Sequence, residues 1–264
     1  MIENVVTGAI FLAGIFYHSR SLGVGAIFGV LVGTGLALLL RYKDDDVRQG
    51  LYGYNSTLVC LSVLYFFGLT VSSLVASFLG AILSVFITNI MRRAWRLPTF
   101  TAPFIVSAWI AISVLLTFRF ALLQTSPLPV ANTVSMVSAL SLGVGQVMFL
   151  EDAVAGSILL AGILAGSGVL GLYAVLGTAL GVAVSLACSL PIGMMNLGLF
   201  GFNGVLCGIA LAERKWGQAY WAMAAITVST FLVYGMLKAG IISLTSPFVL
   251  STWGVLLLKR RFQR

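Results

Sequence analysis

Charged side chains are scarce in this chain: Asp, Glu, Lys and Arg make up 8% of its 264 residues. Soluble domains carry about 25%, so these residues cannot assemble a water-facing surface. Carboxylates number seven, and there is one histidine. An acid–base enzyme has little to work with here. A proton- or sodium-coupled pump normally places ionisable groups inside its spans, and these carboxylates fall at segment ends or loops. Three cysteines, Cys60, Cys188 and Cys207, lack the spacing of a metal site and read as small packing residues. No basic stretch precedes the first apolar segment, and "MIENVV" opens with an acid, so a cleavable signal peptide is not evident.

What the chain has is apolar length. It is 60% hydrophobic, with a mean hydropathy of +1.09 and 29 glycines, which suit close helix packing in lipid. Segments near the ~20-residue spanning length recur at 5–17, 22–40, 52–68, 70–90 and 102–118. They resume at 153–168, 170–188, 200–212, 218–237 and 246–258. "QTSPLPVAN" (Gln124–Asn132) separates the two sets. These features describe a polytopic all-α membrane protein.

The net charge of +8 has a topological meaning. With ten crossings, one side holds Arg41, Lys43, Arg48, Arg92, Arg93, Arg96, Arg214, Lys215, Lys259, Arg260, Arg261 and Arg264. The other holds Arg20, Arg119 and Lys238. The first side, with both termini, is the expected cytoplasmic side. Counting Asn132–Leu150 as an eleventh crossing spoils this bias, so that segment is expected to enter and leave on the outer face.

The sequence repeats itself. "GLYGYNSTL" from Gly50 returns as "GLFGFNGVL" from Gly198, and "GAIFLAGI" from Gly8 as "GSILLAGI" from Gly156, both 148 positions on. Gly29 and Gly33 match Gly177 and Gly181 at that shift, and "TAPFIVSAW" from Thr101 returns as "TSPFVLSTW" from Thr245, 144 positions on. Each half has five crossings, an odd number, so the second is expected to be inverted relative to the first, with a solute site near the midplane between them. The expected division is a first repeat at 1–123, a linker at 124–131 and a second repeat at 132–264, with a re-entrant segment at 132–150. The partner of that segment falls before Met1, so the first half has no counterpart in this sequence.

Several residues are candidates for a pathway. From Thr245 to Lys259 is 14 residues, about 21 Å of helix, too short for a core about 30 Å thick. "KAGIISLT" is therefore expected to enter the membrane in non-helical form, as is "RLPTFT", where Pro98 disfavours helix at the residue before it. Pro103 and Pro247 suit the first turn of a helix. Irregular backbone at that depth needs protein or a watery cavity beside it, which makes Thr101 and Thr245 candidates for paired pore hydroxyls. The alternative is that each caps its helix. Tyr54 with Leu58, and Phe202 with Leu206, are four apart and share a helix face, as opposed apolar walls or as ordinary core. Asn55 and Asn203 read as groups that cap or bridge helices. Gln146, after "GVG", offers a polar group where a buried glutamine without a role is costly. "KDDDVR" reads as a solvated loop and Glu151–Asp152 as a helix N-terminus.

At these residues the sequence resembles the urea transporter (urea channel) family. "LPTFTAPF" (Leu97–Phe104) fits that family's L-P-x-x-T-x-P-F signature, "ISLTSPF" (Ile242–Phe248) is a degenerate twin, and "GLYGYN", "GLFGFN" and "GVGQVMFL" (Gly143–Leu150) also match. The resemblance implies a homotrimer with one pore per protomer, passing urea down its gradient without a cofactor. It assigns the slot walls to Tyr54, Leu58, Phe202, Leu206 and Phe149, the central threonines to Thr101 and Thr245, and the mouth acceptor to Gln146. A bacterial inner membrane is the expected location. A channel for another small neutral amide, an amine or ammonia is the alternative function, with a non-conducting subunit of the same fold beside it. Tyr54 stands where phenylalanine is common in the family.

Overall fold

The computed structural model describes residues 4–124, 131–212 and 219–262. Residues 125–130 of the expected linker, with Glu3, Glu213, Arg214, Lys215 and Arg264, lie outside the described residues. The chain is all helical there: α1 (Val5–His18), α2 (Arg20–Leu39), α3 (Asp44–Arg48), α4 (Leu51–Phe67), α5 (Val71–Ala94), α6 (Ala102–Thr117), α7 (Met136–Gly145), α8 (Ala153–Gly166), α9 (Gly168–Ala187), α10 (Ile192–Asn196), α11 (Phe202–Ala210), α12 (Ala219–Lys238) and α13 (Ser246–Phe262). A 3-10 turn at Gln146–Met148 follows α7.

Four of these helices, α2, α5, α9 and α12, are long and apolar enough by themselves to cross a membrane. The pair made by α7 with its 3-10 turn and α8 passes the same test together but is bent by 72°. Helices α1, α4 and α6 are apolar and shorter, below the ~20 residues a straight crossing takes. The expected second-half segment 200–212 is also shorter as a helix, because residues 198–201 form a turn before α11.

Two compact units make up the chain, one of residues 15–126 and one of residues 127–264 with 1–14. In the first, α4 is the centre: α2, α5 and α6 pack on it, and nearly its whole length is buried. Glycine sets the closest approach. A Cβ at Gly29 would lie 2.6 Å from the Thr57 Cα, so α2 and α4 touch backbone to backbone. Short hydroxyls tie the same helices, Ser56 Oγ donating to the Ala81 carbonyl at 3.1 Å and Thr57 Oγ1 to that of Ala26 at 3.3 Å. This is how helices associate where lipid offers no hydrophobic drive between them.

The second unit repeats the scheme. Helix α11 is buried among α9, α12 and α13. A Cβ at Gly177 would collide with the Gly204 carbonyl, and one at Gly208 with that of Tyr173. Thr7 of α1 donates to the Gly162 carbonyl of α8 at 2.9 Å. Element bounds recur with the sequence shift: 5–18 and 153–166, 20–39 and 168–187, 44–48 and 192–196, then 102 and 246 as starts. Backbone oddities recur as well. Arg41 and Ser189 both have φ 52, and Gly50 and Gly198 have φ 69 and 73.

Two expectations are corrected here. "KDDDVR" is not a solvated loop throughout: it forms α3, and Asp46 is 4% exposed beneath Arg92. The Arg92 Nη2 and Nε both donate to Asp46 Oδ1, at 2.5 and 3.1 Å. A buried carboxylate needs such a partner, and Arg92 reaches it from the last turn of α5. Cys188 is not a packing residue either, since α9 ends there and leaves it exposed, while Cys60 and Cys207 are buried.

Candidate functional site

The two T-x-P-F segments are built alike. Between α5 and α6 the chain is non-helical from 95 to 101, and between α12 and α13 from 239 to 245. Pro103 and Pro247 then sit in the first turns of α6 and α13, where a missing N–H leaves no gap in the ladder. The residue before each threonine is left-handed, Phe100 at φ 45 and Leu244 at φ 46. Such a backbone costs a non-glycine residue about 1–2 kcal/mol, so something must hold it.

Asparagine holds it in both units. On α4, Asn55 is fully buried; its Nδ2 donates to the Phe100 carbonyl at 3.3 Å and to that of Leu51 at 2.9 Å. Its Oδ1 accepts from the Phe104 N–H at 3.0 Å. On α11, Asn203 repeats the arrangement, donating to the Leu244 carbonyl at 3.4 Å and accepting from the Phe248 N–H at 3.0 Å. The first turn of a helix leaves N–H groups unpaired, and here an asparagine from a neighbouring helix satisfies one of them. The reading of Asn55 and Asn203 as bridging groups holds.

Thr101 occupies the N-cap position of α6, yet its side chain makes no capping hydrogen bond. The capping alternative therefore does not describe Thr101; Asn55 takes that work. Thr101 and Thr245 are each 3% exposed, and their carbonyls accept from Ile105 and Val249. Tyr54 and Leu58 lie on α4 on either side of Asn55, one residue before it and three after. Leu58 is buried and Tyr54 half-buried. Phe202 and Leu206 lie on α11 on either side of Asn203, and both are buried.

Gln146 and Phe149 frame the turn after α7, which packs against α11. Phe149 adopts φ 60, reversing the chain toward α8, where Asp152 caps the Ala155 N–H at 2.8 Å as the helix N-terminus expected at Glu151–Asp152. Gln146 is 7% exposed, and its Nε2 has no hydrogen-bond partner. Buried donors are nearly always paired; among the described residues the Ser77 and Ser107 hydroxyls are the other buried side-chain groups without a partner. The left-handed Phe100 and Leu244 escaped the sequence reading. Their only signal there is position, each immediately before a repeat-matched threonine.

A model of the urea transporter family matches residues 1–260. Urea transporter 1 of Ovis aries is 28% identical over 282 residues, covering 97% of this chain and 73% of the relative. Urea transporter 1 of Rattus norvegicus is 30% identical over 227 residues, 80% of this chain and 59% of the relative, and that of Mus musculus 31% over the same extent. These relatives are transporters, not enzymes. With the match running across both units and both Asn-held turns, this chain belongs to the urea transporter family.

Proposed function

We propose that the chain is a passive channel for urea, built as two inverted five-helix repeats with ten crossings and both termini cytoplasmic. The observation that carries this reading is the duplicated turn: Thr101 and Thr245, buried and repeat-matched, each follow a left-handed residue that an asparagine holds. Residues 1–123 and 132–264 form the two repeats, joined at 124–131, and 132–150 enters and leaves on the outer face. The charge asymmetry sets the orientation, and the family resemblance supports a homotrimer in the plasma membrane with one pore per protomer.

In this reading Tyr54, Leu58, Phe202, Leu206 and Phe149 flank the flat faces of urea. Thr101, Thr245 and Gln146 meet its N–H and C=O groups. Urea is planar and uncharged, with four N–H donors at its rim. A slot with polar groups at the edges and apolar faces replaces its water, whereas a stripped ion loses far more. Among the described residues the carboxylates lie in α3 and in the turn before α8, which leaves no described carboxylate within a long span to couple flux to protons.

A non-conducting subunit is the second reading. It is favoured by one observation: among the described residues, only the second unit has a Gln146-type corner. Stopped-flow swelling of proteoliposomes separates the readings. Rapid urea entry above protein-free vesicles, unchanged by an imposed pH gradient or membrane potential, is expected, with acetamide slower and glycerol excluded. Flux that follows a proton or sodium gradient, or no flux at all, overturns the passive channel.

A further inference from the structure

Repeat-matched positions expose one difference in chemistry. Tyr54 of α4 and Phe202 of α11 lie 148 positions apart, and their side chains differ by a single hydroxyl. Their settings differ as well: Phe202 is 8% exposed, whereas Tyr54 is half-buried. From Tyr52 to Leu64 every other residue of α4 is buried.

The opening at Tyr54 is a recess and not a lipid-facing stripe. A stripe would continue at the positions three, four and seven residues on, and Thr57, Leu58 and Leu61 are all buried. The Tyr54 hydroxyl makes no hydrogen bond among the described residues, and unlike those of Ser77 and Ser107 it is not sealed within the protein. The first unit thus holds an unpartnered phenol in an otherwise closed wall. A phenol donates a hydrogen bond better than it accepts one, because its oxygen lone pair delocalises into the ring.

We propose that the Tyr54 hydroxyl is a specificity-determining group, which donates to the carbonyl oxygen of the permeating solute and so favours oxygen-bearing amides over thiourea. This rests on the channel reading above, with Tyr54 on the pathway. The ring flanks the flat face of the solute, and the hydroxyl at its rim meets the carbonyl edge as the solute passes. A carbonyl stripped of water needs such a donor. Thiourea has the same plane and the same N–H donors as urea, but its sulfur is bulkier than oxygen and a weak acceptor. It gains little from the phenol. Phe202 offers no donor, so the discrimination is made once, in the first unit.

The test is entry of urea, acetamide and thiourea into proteoliposomes, for the unaltered chain, Tyr54→Phe, Tyr52→Phe and 4-aminophenylalanine at position 54. Tyr54→Phe should slow urea and acetamide by about fivefold, the loss of one hydrogen bond, and leave thiourea within about twofold of its original rate. Its melting temperature in detergent should not change, since the hydroxyl has no partner in the protein to lose. Tyr52 is the control: it is 1% exposed, with its ring centroid 5.5 Å from that of Tyr42. Tyr52→Phe should keep the ratio of urea to thiourea entry. 4-Aminophenylalanine returns a donor to the rim of the ring and should recover that ratio. Urea entry with an unchanged ratio in Tyr54→Phe, an equal shift in Tyr52→Phe, or faster entry of urea and thiourea alike overturns this proposal alone. No urea entry through the unaltered chain overturns the channel reading and this proposal with it.

Discussion

The Asn55 side-chain oxygen accepts the Phe104 amide hydrogen at 3.0 Å, across 49 positions of sequence, and thereby fixes the start of α6 to the second turn of α4. The bond couples the irregular backbone before Thr101 to the most buried helix of its unit. Asn203 and Phe248 do the same for α13, also at 3.0 Å.

Replacing that asparagine should loosen the turn. Asn55→Leu keeps a branched side chain and removes the hydrogen bonds to the Phe104 N–H and the Phe100 carbonyl. A buried hydrogen bond contributes about 1 kcal/mol, so a clear drop in thermal unfolding temperature in detergent is expected, with lowered urea flux. Asn203→Leu should behave alike. Unchanged melting and flux in both variants would show that the turns hold themselves.

The threonines test the pathway. Valine matches threonine in shape and lacks its hydroxyl. One hydrogen bond lost by a desolvated solute costs about 1 kcal/mol, so Thr101→Val and Thr245→Val should each slow urea permeation by about fivefold, with expression unchanged. Thr99→Val and Thr252→Val are the comparison; Thr252 donates to Cys207 Sγ at 3.7 Å, away from the turn. If all four variants conduct alike, the pore assignment of the pair fails.

Asp46 and Arg92 should respond unequally. The Asp46 side chain is 5% exposed and that of Arg92 36%. Arg92→Met strands a buried carboxylate, whereas Asp46→Asn leaves a guanidinium that reaches water. The first should therefore lose more stability, by about 1 kcal/mol or more, measured by thermal unfolding. Equal losses would mean that α3 is held by packing alone.

Glycine positions separate by their neighbours. Gly29→Ala forces a methyl against the Thr57 backbone, while Gly35 has open space around it. Overpacking costs about 1–3 kcal/mol, so Gly29→Ala should destabilise by that amount and Gly35→Ala should be neutral or stabilising. Identical melting curves for the two would remove the close α2–α4 contact from the account.

The sequence by itself determined which stretches are helical and that they lie in lipid. An 8% charge content leaves no other solvent for so much apolar surface, and each of the ten apolar segments contains a helix starting within two residues of its expected start. Internal repetition made Thr101 and Thr245, and Asn55 and Asn203, stand out from the other threonines and asparagines. Tertiary structure decided what those residues do. A capping threonine and a threonine merely at the cap position spell the same T-x-P-F; only the neighbouring helix shows that Asn55 has taken the amide. Left-handed backbone at Phe100 has no compositional mark, because it is imposed by the turn it closes. The fate of Asp46, buried rather than solvated, depended on an arginine 46 positions away. Local spacing fixes helices through hydrogen bonds four residues apart, whereas these contacts join residues about fifty positions apart, and no window of sequence contains both partners.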